Sequence, residues 1–274
     1  MIDLPNGIHK GLPHDAYHKR EVGMVSRGAL ELLERSPAHY RAWVDGEVAE
    51  DSSPSMDFGI AFHCATLEPA EFEKTYCAEP DFGDCRYKPA KEARDRWREE
   101  HAGYKHLTAG AMEKIRRMSE SIRKHPLAGK MLTGGESELT IRWTDEETGL
   151  PCKARADFYS KGRALLADIK TSMDASQEAI SRDVFRYKWH WQHALYRAGF
   201  AAIGKEVKHF IFVVVEKEPP YAVATYTLDE KAISVGYRET RTLMRLLRDC
   251  KFHDMWPAYP VAIRTIDTPP WIES

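Results

Sequence analysis

The stretch "SELTIRWTDEETGLPCKARADFYSKGRALLADIKTS" (residues 137–172) is where the chain changes from helical to extended texture. "SELTIRWT" alternates polar and apolar residues, the period of a strand with one buried face. "DEETG" reads as a turn, "LPCKARADFYS" as a second strand, "KGR" as a tight turn and "ALLADIKTS" as a third strand. The pattern predicts an antiparallel meander. Its last strand carries an apolar lead, then Asp168, Ile169, Lys170 and two hydroxyl residues. Strand side chains two apart share a face, so Asp168 and Lys170 should stand side by side. An ion pair at a strand end is one reading of that pair.

Asp157, on the neighbouring strand, suggests another. With the turn centred on Lys161 and Gly162, Asp157 falls opposite Leu166 and Asp168 lies one diagonal step away. Asp157, Asp168 and Lys170 then share one face, with Lys153 and Arg155 on Asp157's face as well. A slip of one residue would turn Asp157 to the other side. Two close carboxylates stay ionised only with a cation between them, and hard oxygen ligands suit Mg²⁺ or Mn²⁺. A lysine beside such a site can orient a water and stabilise charge on a phosphate. Neutralisation of the two acids by Lys170 and Arg155 fits the same spacing.

Helices surround the meander. "SRGALELLERSPAHYRAWVDG" (26–46) reads as a helix capped by Ser26, a break at Ser36–Pro37 and a second helix. After a polar loop over 47–56, "MDFGIAFHCATLEPAEFEKTY" (56–76) reads as a helix to about Leu67, restarted after Pro69. Residues 78–90 read as a loop, followed by two charged amphipathic helices ending near His125. Beyond the meander, helices are predicted at about 175–203 and strands at 206–217 and 221–228. A long helix over 229–250 and an irregular Pro-rich tail complete the chain. The order predicts one α/β (α+β) domain with a mixed central sheet flanked by helices.

Bulk properties bound the function. The chain has 274 residues, 43% of them hydrophobic, enough for a substantial core. A net charge of −2 gives no support to a simple basic nucleic-acid binder, although acids set beside a basic track would cancel to the same value. No apolar run is long enough to predict a membrane span, and "MIDLPNGIHKGLPHD" lacks the pattern of a secretory signal. Cys64, Cys77, Cys85, Cys152 and Cys250 are scattered without a CxxC pair, which predicts reduced thiols and a cytoplasmic location.

Two further stretches carry chemistry. In "GIAFHCATLE" (59–68), Gly59 and His63 lie on one helix face. Gly costs a helix about 1 kcal/mol against Ala, so Gly59 is expected to mark a close backbone approach. His63 among apolar neighbours is either a satisfied core residue or a ligand. In "FRYKWHWQHALYRAGF" (185–200), Gln192 and Tyr196 share a helix face, preceded by interleaved Arg186, Lys188, Trp189, His190 and Trp191. Such interleaving suits phosphates and bases, and equally an amphipathic helix with aromatics in the core.

GxxxH, then D, then DxK, then QxxxY, in this order, resembles the signature of RecB-like nucleases of the PD-(D/E)XK superfamily. The chain is most similar there to the RecE-type exonuclease (exodeoxyribonuclease VIII) family. "VSRGALELLERSPAHY", "FGIAFHCATLEPAEF", "IRWTDEETGLPCKARADF", "DIKTS", "WQHALY", "FHDMWPAY" and a late Pro-Trp all resemble that family's segments, over about residues 8–270.

The resemblance implies a restriction-endonuclease-like core in which His63, Asp157, Asp168 and the backbone carbonyl of Ile169 bind divalent metal. Lys170 would be the catalytic lysine, with Gln192 and Tyr196 completing the site. Glu138 matches an acid of the family's preceding strand, which implies a further metal ligand or a residue supporting the ligands. It implies one or two Mg²⁺ ions per site, Mn²⁺ being an alternative. No ATP is expected, since no GxxxxGK[ST] loop occurs. Ser26, Arg27, Arg155, Arg186, Lys188 and Trp189 are the candidate DNA contacts, Ser26 as the start of a helix that could face a 5′-phosphate. The implied activity is 5′→3′ digestion of linear double-stranded DNA to leave 3′ single strands. The implied partners are a RecT-type single-strand annealing protein, in phage or prophage recombination, and further copies of the chain in a ring-like trimer or tetramer. An endonuclease of the same superfamily, or a degenerate fold that only binds DNA, would share much of this pattern. The scattered cysteines do not suit a relative that holds an iron–sulfur cluster.

Overall fold

"HFIFVVVE" lacks alternation because both of its faces are covered. The computed structural model describes residues 4–48 and 53–268. Among these, the strands are β1 (Gly7–His9), β2 (Tyr76–Glu79), β3 (Lys105–Thr108), β4 (Glu136–Thr144), β5 (Pro151–Ser160), β6 (Leu165–Ser172), β7 (His209–Glu216) and β8 (Val223–Tyr226). Six of them form a sheet in the order β1-β4-β5-β6-β7-β8, while β2 and β3 form a separate parallel pair. The β6–β7 pairing is parallel and the other pairings of the large sheet are antiparallel. The sheet is therefore mixed.

The helices are α1 (His14–His18), α2 (Arg27–Arg35), α3 (Pro37–Val44), α4 (Pro54–Leu67), α5 (Pro69–Thr75), α6 (Lys88–Glu100), α7 (Ala109–Lys124), α8 (Ala128–Met131), α9 (Gln177–Arg186), α10 (Trp189–Ala202) and α11 (Glu230–His253). On one face of the sheet, Leu30, Tyr40, Ile180, Leu195 and Leu247 pack against Ile141, Ala154, Leu166, Phe212 and Val214. On the other, Phe62, Phe72, Ile115 and Met118 pack against Ile169, Val213 and Val215. Val213, Val214 and Val215 are fully buried between these layers, each contributing roughly 1.5–3 kcal/mol through removal from water.

Local signals set most boundaries. The Ser36 N–H donates to Leu32 at the end of α2, and its side chain accepts from His39 N at the start of α3, so one residue ends one helix and caps the next. The polar loop is shorter than predicted because Ser53 caps α4 and Pro54 occupies its first turn. The strand β2 falls at the end of a predicted helix, and β1 was not expected. Four and three residues are too few to show a period, and each is held by its partner strand. The late Pro-Trp lies outside the described residues.

The meander is present, with a register two residues from the predicted one. Tyr159, not Asp157, lies opposite Leu166. A 3₁₀ turn over Lys161–Arg163 is followed by Ala164 in left-handed geometry (φ 47°), which lengthens the connection. A shift of two keeps the parity of the faces, so Asp168 still faces as predicted.

Gly59 does not mark a close approach: a Cβ there would meet nothing within 4 Å. The close approaches occur elsewhere. A Cβ at Gly199 would lie 2.7 Å from Ile141 Cδ1, and one at Gly236 would lie 2.3 Å from the His190 carbonyl oxygen. These two glycines seat α10 between the sheet and α11.

Candidate metal centre

The strands part where the acids stand. In β4–β5, Ser137 pairs with Phe158 and Leu139 with Ala156, while the intervening residues Glu138 and Asp157 are not paired. Glu138 has φ 49°, a left-handed geometry that costs a non-glycine residue about 1–2 kcal/mol. Face alternation breaks here too: Cys152, Ala154, Ala156 and Tyr159 join one core, and Phe158 joins a cluster with Leu165 and Ala167. The β5–β6 ladder stops at Phe158 and Ala167. Beyond it, the Ile169 N–H donates to Asp157 Oδ2 at 2.7 Å, a side-chain acceptor in place of a backbone one. Glu138, Asp157 and Asp168 thus line up across three adjacent strands at a fork.

The helix α4 brings His63 to this fork, with Nδ1 3.4 Å from Asp157 Oδ2. Ligand atoms of His63, Glu138 and Asp157 all lie within 4.8 Å of one another. Burial opposes a charge on His63, but Asp157 outweighs it and raises the imidazole pKa to about 9. Burial also opposes a charge on Asp157, and there the neighbouring His63 prevails, holding it below the usual carboxylate range. Burial and the Asp157 charge push Glu138 up to about 7 and Asp168 up to about 6. Two carboxylates and an imidazole, converging where negative charge is costly, form a donor set that fits a hard divalent cation. His63, Glu138 and Asp157 would hold such an ion, with Glu138 a full member of the set.

Asp168 has turned elsewhere. It is 1% exposed. Its Oδ1 contacts Lys170 Nζ and accepts no hydrogen bond, and its Oδ2 accepts from Gln192 Nε2. Lys170 Nζ donates to Gln192 Oε1 at 2.9 Å. Gln192 therefore ties lysine and aspartate together, accepting from one and donating to the other. The ion-pair reading of Asp168 and Lys170 is correct as geometry and forms part of a larger arrangement. Ile169, between them, sends its side chain into the opposite core. Tyr196, one turn on from Gln192, is 9% exposed, and burial holds its phenol well above the ordinary pKa of 10.

Several predicted DNA contacts are occupied within the chain. Trp189 is 4% exposed, stacks on Phe212 at 5.5 Å and lies under Lys170, whose Nζ is 5.7 Å from the ring centre. It is a floor for the lysine and presents no face to a base. Lys188 takes φ 56° at the start of α10, pairs with Glu34 at 2.6 Å and lies over Trp191. Arg155 donates to Thr140 Oγ1 and to the Leu12 carbonyl. Ser26 caps α2 by accepting from Ala29 N. Arg27 bonds Glu31 and the Tyr187 carbonyl, which sets α2 against the α9–α10 junction. Arg186 is exposed and lies 5.3 Å over the Tyr187 ring. Tyr17, which no motif of the sequence singles out, lies against both Arg155 and Lys153 of β5. A lone tyrosine in "HDAYH" carries no periodic signal that could have found it.

Among the described residues, no helix is long and apolar enough to cross a membrane. The family model for a PDDEXK-like domain of unknown function (DUF3799) matches residues 26–267. No curated protein matches the chain. The crystal structure of a candidate exonuclease from Eubacterium rectale is similar at a TM-score of 0.55 and 11% identity, covering 92% of this chain and 96% of that one. That likeness concerns the fold alone. The crystal structure of SSO0001 is 18% identical over 69% of this chain and 86% of that one, with a TM-score of 0.31, too low to bear on the fold.

Proposed function

Since the chain belongs to the PDDEXK-like family DUF3799, we propose that it is a metal-dependent exodeoxyribonuclease acting on linear double-stranded DNA. The observation that carries this reading is the adjacency of two units at the strand fork: the His63–Glu138–Asp157 donor set and the Lys170–Gln192–Asp168 arrangement.

His63, Glu138 and Asp157 would hold Mg²⁺ or Mn²⁺, with Asp168 the remaining carboxylate at the fork. A divalent ion so held supplies Lewis acidity toward a phosphate oxygen and lowers the pKa of a bound water. The rest falls to the chain. Asp157 is fixed by the Ile169 N–H and so offers its oxygens from a rigid strand. Gln192 accepts from the Lys170 ammonium and Asp168 lies against it, which sets the direction in which a further N–H of the lysine orients the attacking water. Water adds to phosphorus and the bond to the 3′-oxygen breaks, leaving a 5′-phosphate and a 3′-hydroxyl. Tyr196 keeps its proton through the working pH range and can donate to the phosphate. We further propose the RecE-type course: 5′→3′ digestion that leaves 3′ single strands for a RecT-type annealing partner, by a ring-like oligomer.

The test is digestion of linear duplexes labelled at either end, beside covalently closed circles, with Mg²⁺ or Mn²⁺. Loss of the 5′ label first, with circles intact, is the expected result. Cleavage of closed circles would establish the endonuclease alternative. Binding of DNA without any cleavage would establish a non-catalytic module.

A further inference from the structure

Tyr17 belongs to a segment that two basic side chains hold onto the sheet. Arg155 Nη2 donates to the Leu12 carbonyl at 2.7 Å, and its Cζ lies 4.5 Å from the centre of the Tyr17 ring. Lys153 Nζ donates to the carbonyls of Tyr17 and Lys19 at 2.5 and 2.7 Å, and lies 5.3 Å from the same ring. Both cations come from β5, on the strand that carries Asp157. Holding Lys153 here is costly: burial brings its pKa down to about 8. An apolar contact would anchor a five-residue helix without that cost. The arrangement makes sense if it places a side chain.

Position supports this. Arg155 pairs with Thr140 across β4–β5 and donates to its hydroxyl. Asp157 and Glu138 lie two residues further along each strand, about 7 Å away. The Tyr17 ring, held on Arg155, therefore lies on the stretch of sheet next to the carboxylates, near enough for the Glu138 charge to act on its phenol. Burial pushes the Tyr17 phenol up to about 12, so it stays protonated; the fields of Arg155, Arg27 and Glu138 also reach it, and its own reaches Tyr196. Along the strands, α1 thus borders the fork next to the metal donors, while α10 supplies Gln192 and Tyr196.

We propose that Tyr17 is a substrate-contacting residue whose phenol O–H donates to a non-bridging oxygen of a phosphate in the bound DNA strand. This rests on the nuclease reading and names one of its contacts. Arg155, predicted to touch DNA, instead positions the tyrosine that does.

Tyr17→Phe removes only the hydroxyl and keeps the ring on Arg155. It is compared with wild type in single-turnover cleavage of an end-labelled linear duplex, unmodified or with a single methylphosphonate at successive linkages. A hydrogen bond to a charged group corresponds to about a tenfold to hundredfold effect. The expected result is a loss of that size on unmodified DNA, an unchanged melting temperature, and equal rates for both proteins at one methylphosphonate position. Cleavage by Tyr17→Phe within about twofold of an active wild type overturns the inference and leaves the nuclease reading intact. A loss that persists equally at every methylphosphonate position also overturns it. A wild type that neither binds nor cuts DNA overturns the nuclease reading, and the role of Tyr17 with it.

Discussion

The Ile169 N–H donates to Asp157 Oδ2 at 2.7 Å, so one carboxylate serves as a strand's missing backbone acceptor and also belongs to the group that could hold a metal ion. The two roles separate by mutation. Asp157→Asn keeps an acceptor for the buried N–H but loses the charge. It should lose Mn²⁺ binding and cleavage together, and with them the stability that the His63–Asp157 pair contributes below about pH 9. Asp157→Ala leaves the N–H unsatisfied and should cost a further 1–3 kcal/mol or so in denaturant unfolding. Equal stability of the two variants would show that the hydrogen bond contributes nothing to the fork.

Gln192 holds Lys170 and Asp168 with opposite ends of one amide. Gln192→Leu fills the same space and holds neither. A misplacement of about 1 Å at a reacting group costs on the order of a hundredfold, so single-turnover cleavage should fall by about that factor while DNA binding stays near wild type. A rate within twofold of wild type would remove Gln192 from the mechanism.

The His63–Asp157 pair sets a pH dependence. The His63 pKa is raised to about 9, above its ordinary 6.5. Without metal, its contribution to stability is fully present below about pH 6.5 and is lost as pH rises through about 9. Metal requires the neutral imidazole, so affinity runs the opposite way. Above about pH 7, where Glu138 is already ionised, Mn²⁺ binding should tighten as pH climbs toward about 9, by up to tenfold per unit. Calorimetric titration across this range checks the sign, and His63→Gln should flatten the profile. A pH-independent affinity in the wild type would contradict the assignment of His63 as a ligand.

Two glycines should respond in opposite directions. A Cβ at Gly236 meets the His190 carbonyl oxygen at 2.3 Å, so Gly236→Ala should cost about 1–3 kcal/mol and loosen the helix that carries Gln192. Gly59 faces open space inside α4, so Gly59→Ala should stabilise by roughly 0.5–1 kcal/mol. Thermal unfolding of both variants measures the contrast. Slowed cleavage by a stabilised Gly59→Ala would show that the space beside His63 is used by DNA.

The chain announces its architecture through local signals. Alternation in "SELTIRWT", the unbroken apolar run in β7, and Ser26, Ser36 and Ser176 as caps each act within a few residues. The side chains at the fork are also legible: strand spacing singles out Asp157, Asp168 and Lys170, helix spacing and motif order add His63, Gln192 and Tyr196, and the family resemblance adds Glu138. Their partners are less so. Asp168 and Lys170 were read side by side, and Gln192 proves to be what holds them together.

Other features depend on contacts between residues far apart in the chain. The two-residue register shift comes from a 3₁₀ turn followed by a left-handed alanine, whose sequence "KGRA" suits several turns equally well. Glu138 joins the donor set because two paired strands kink at the same place. Trp189 and Arg155 resemble DNA contacts in sequence, yet one is covered by Phe212 and Lys170 and the other by residues 12–17. A residue type and its spacing determine which chemistry a side chain can perform. Whether its polar atoms face a substrate or another part of the chain is decided by which distant segment packs on it, and period and spacing carry no record of that.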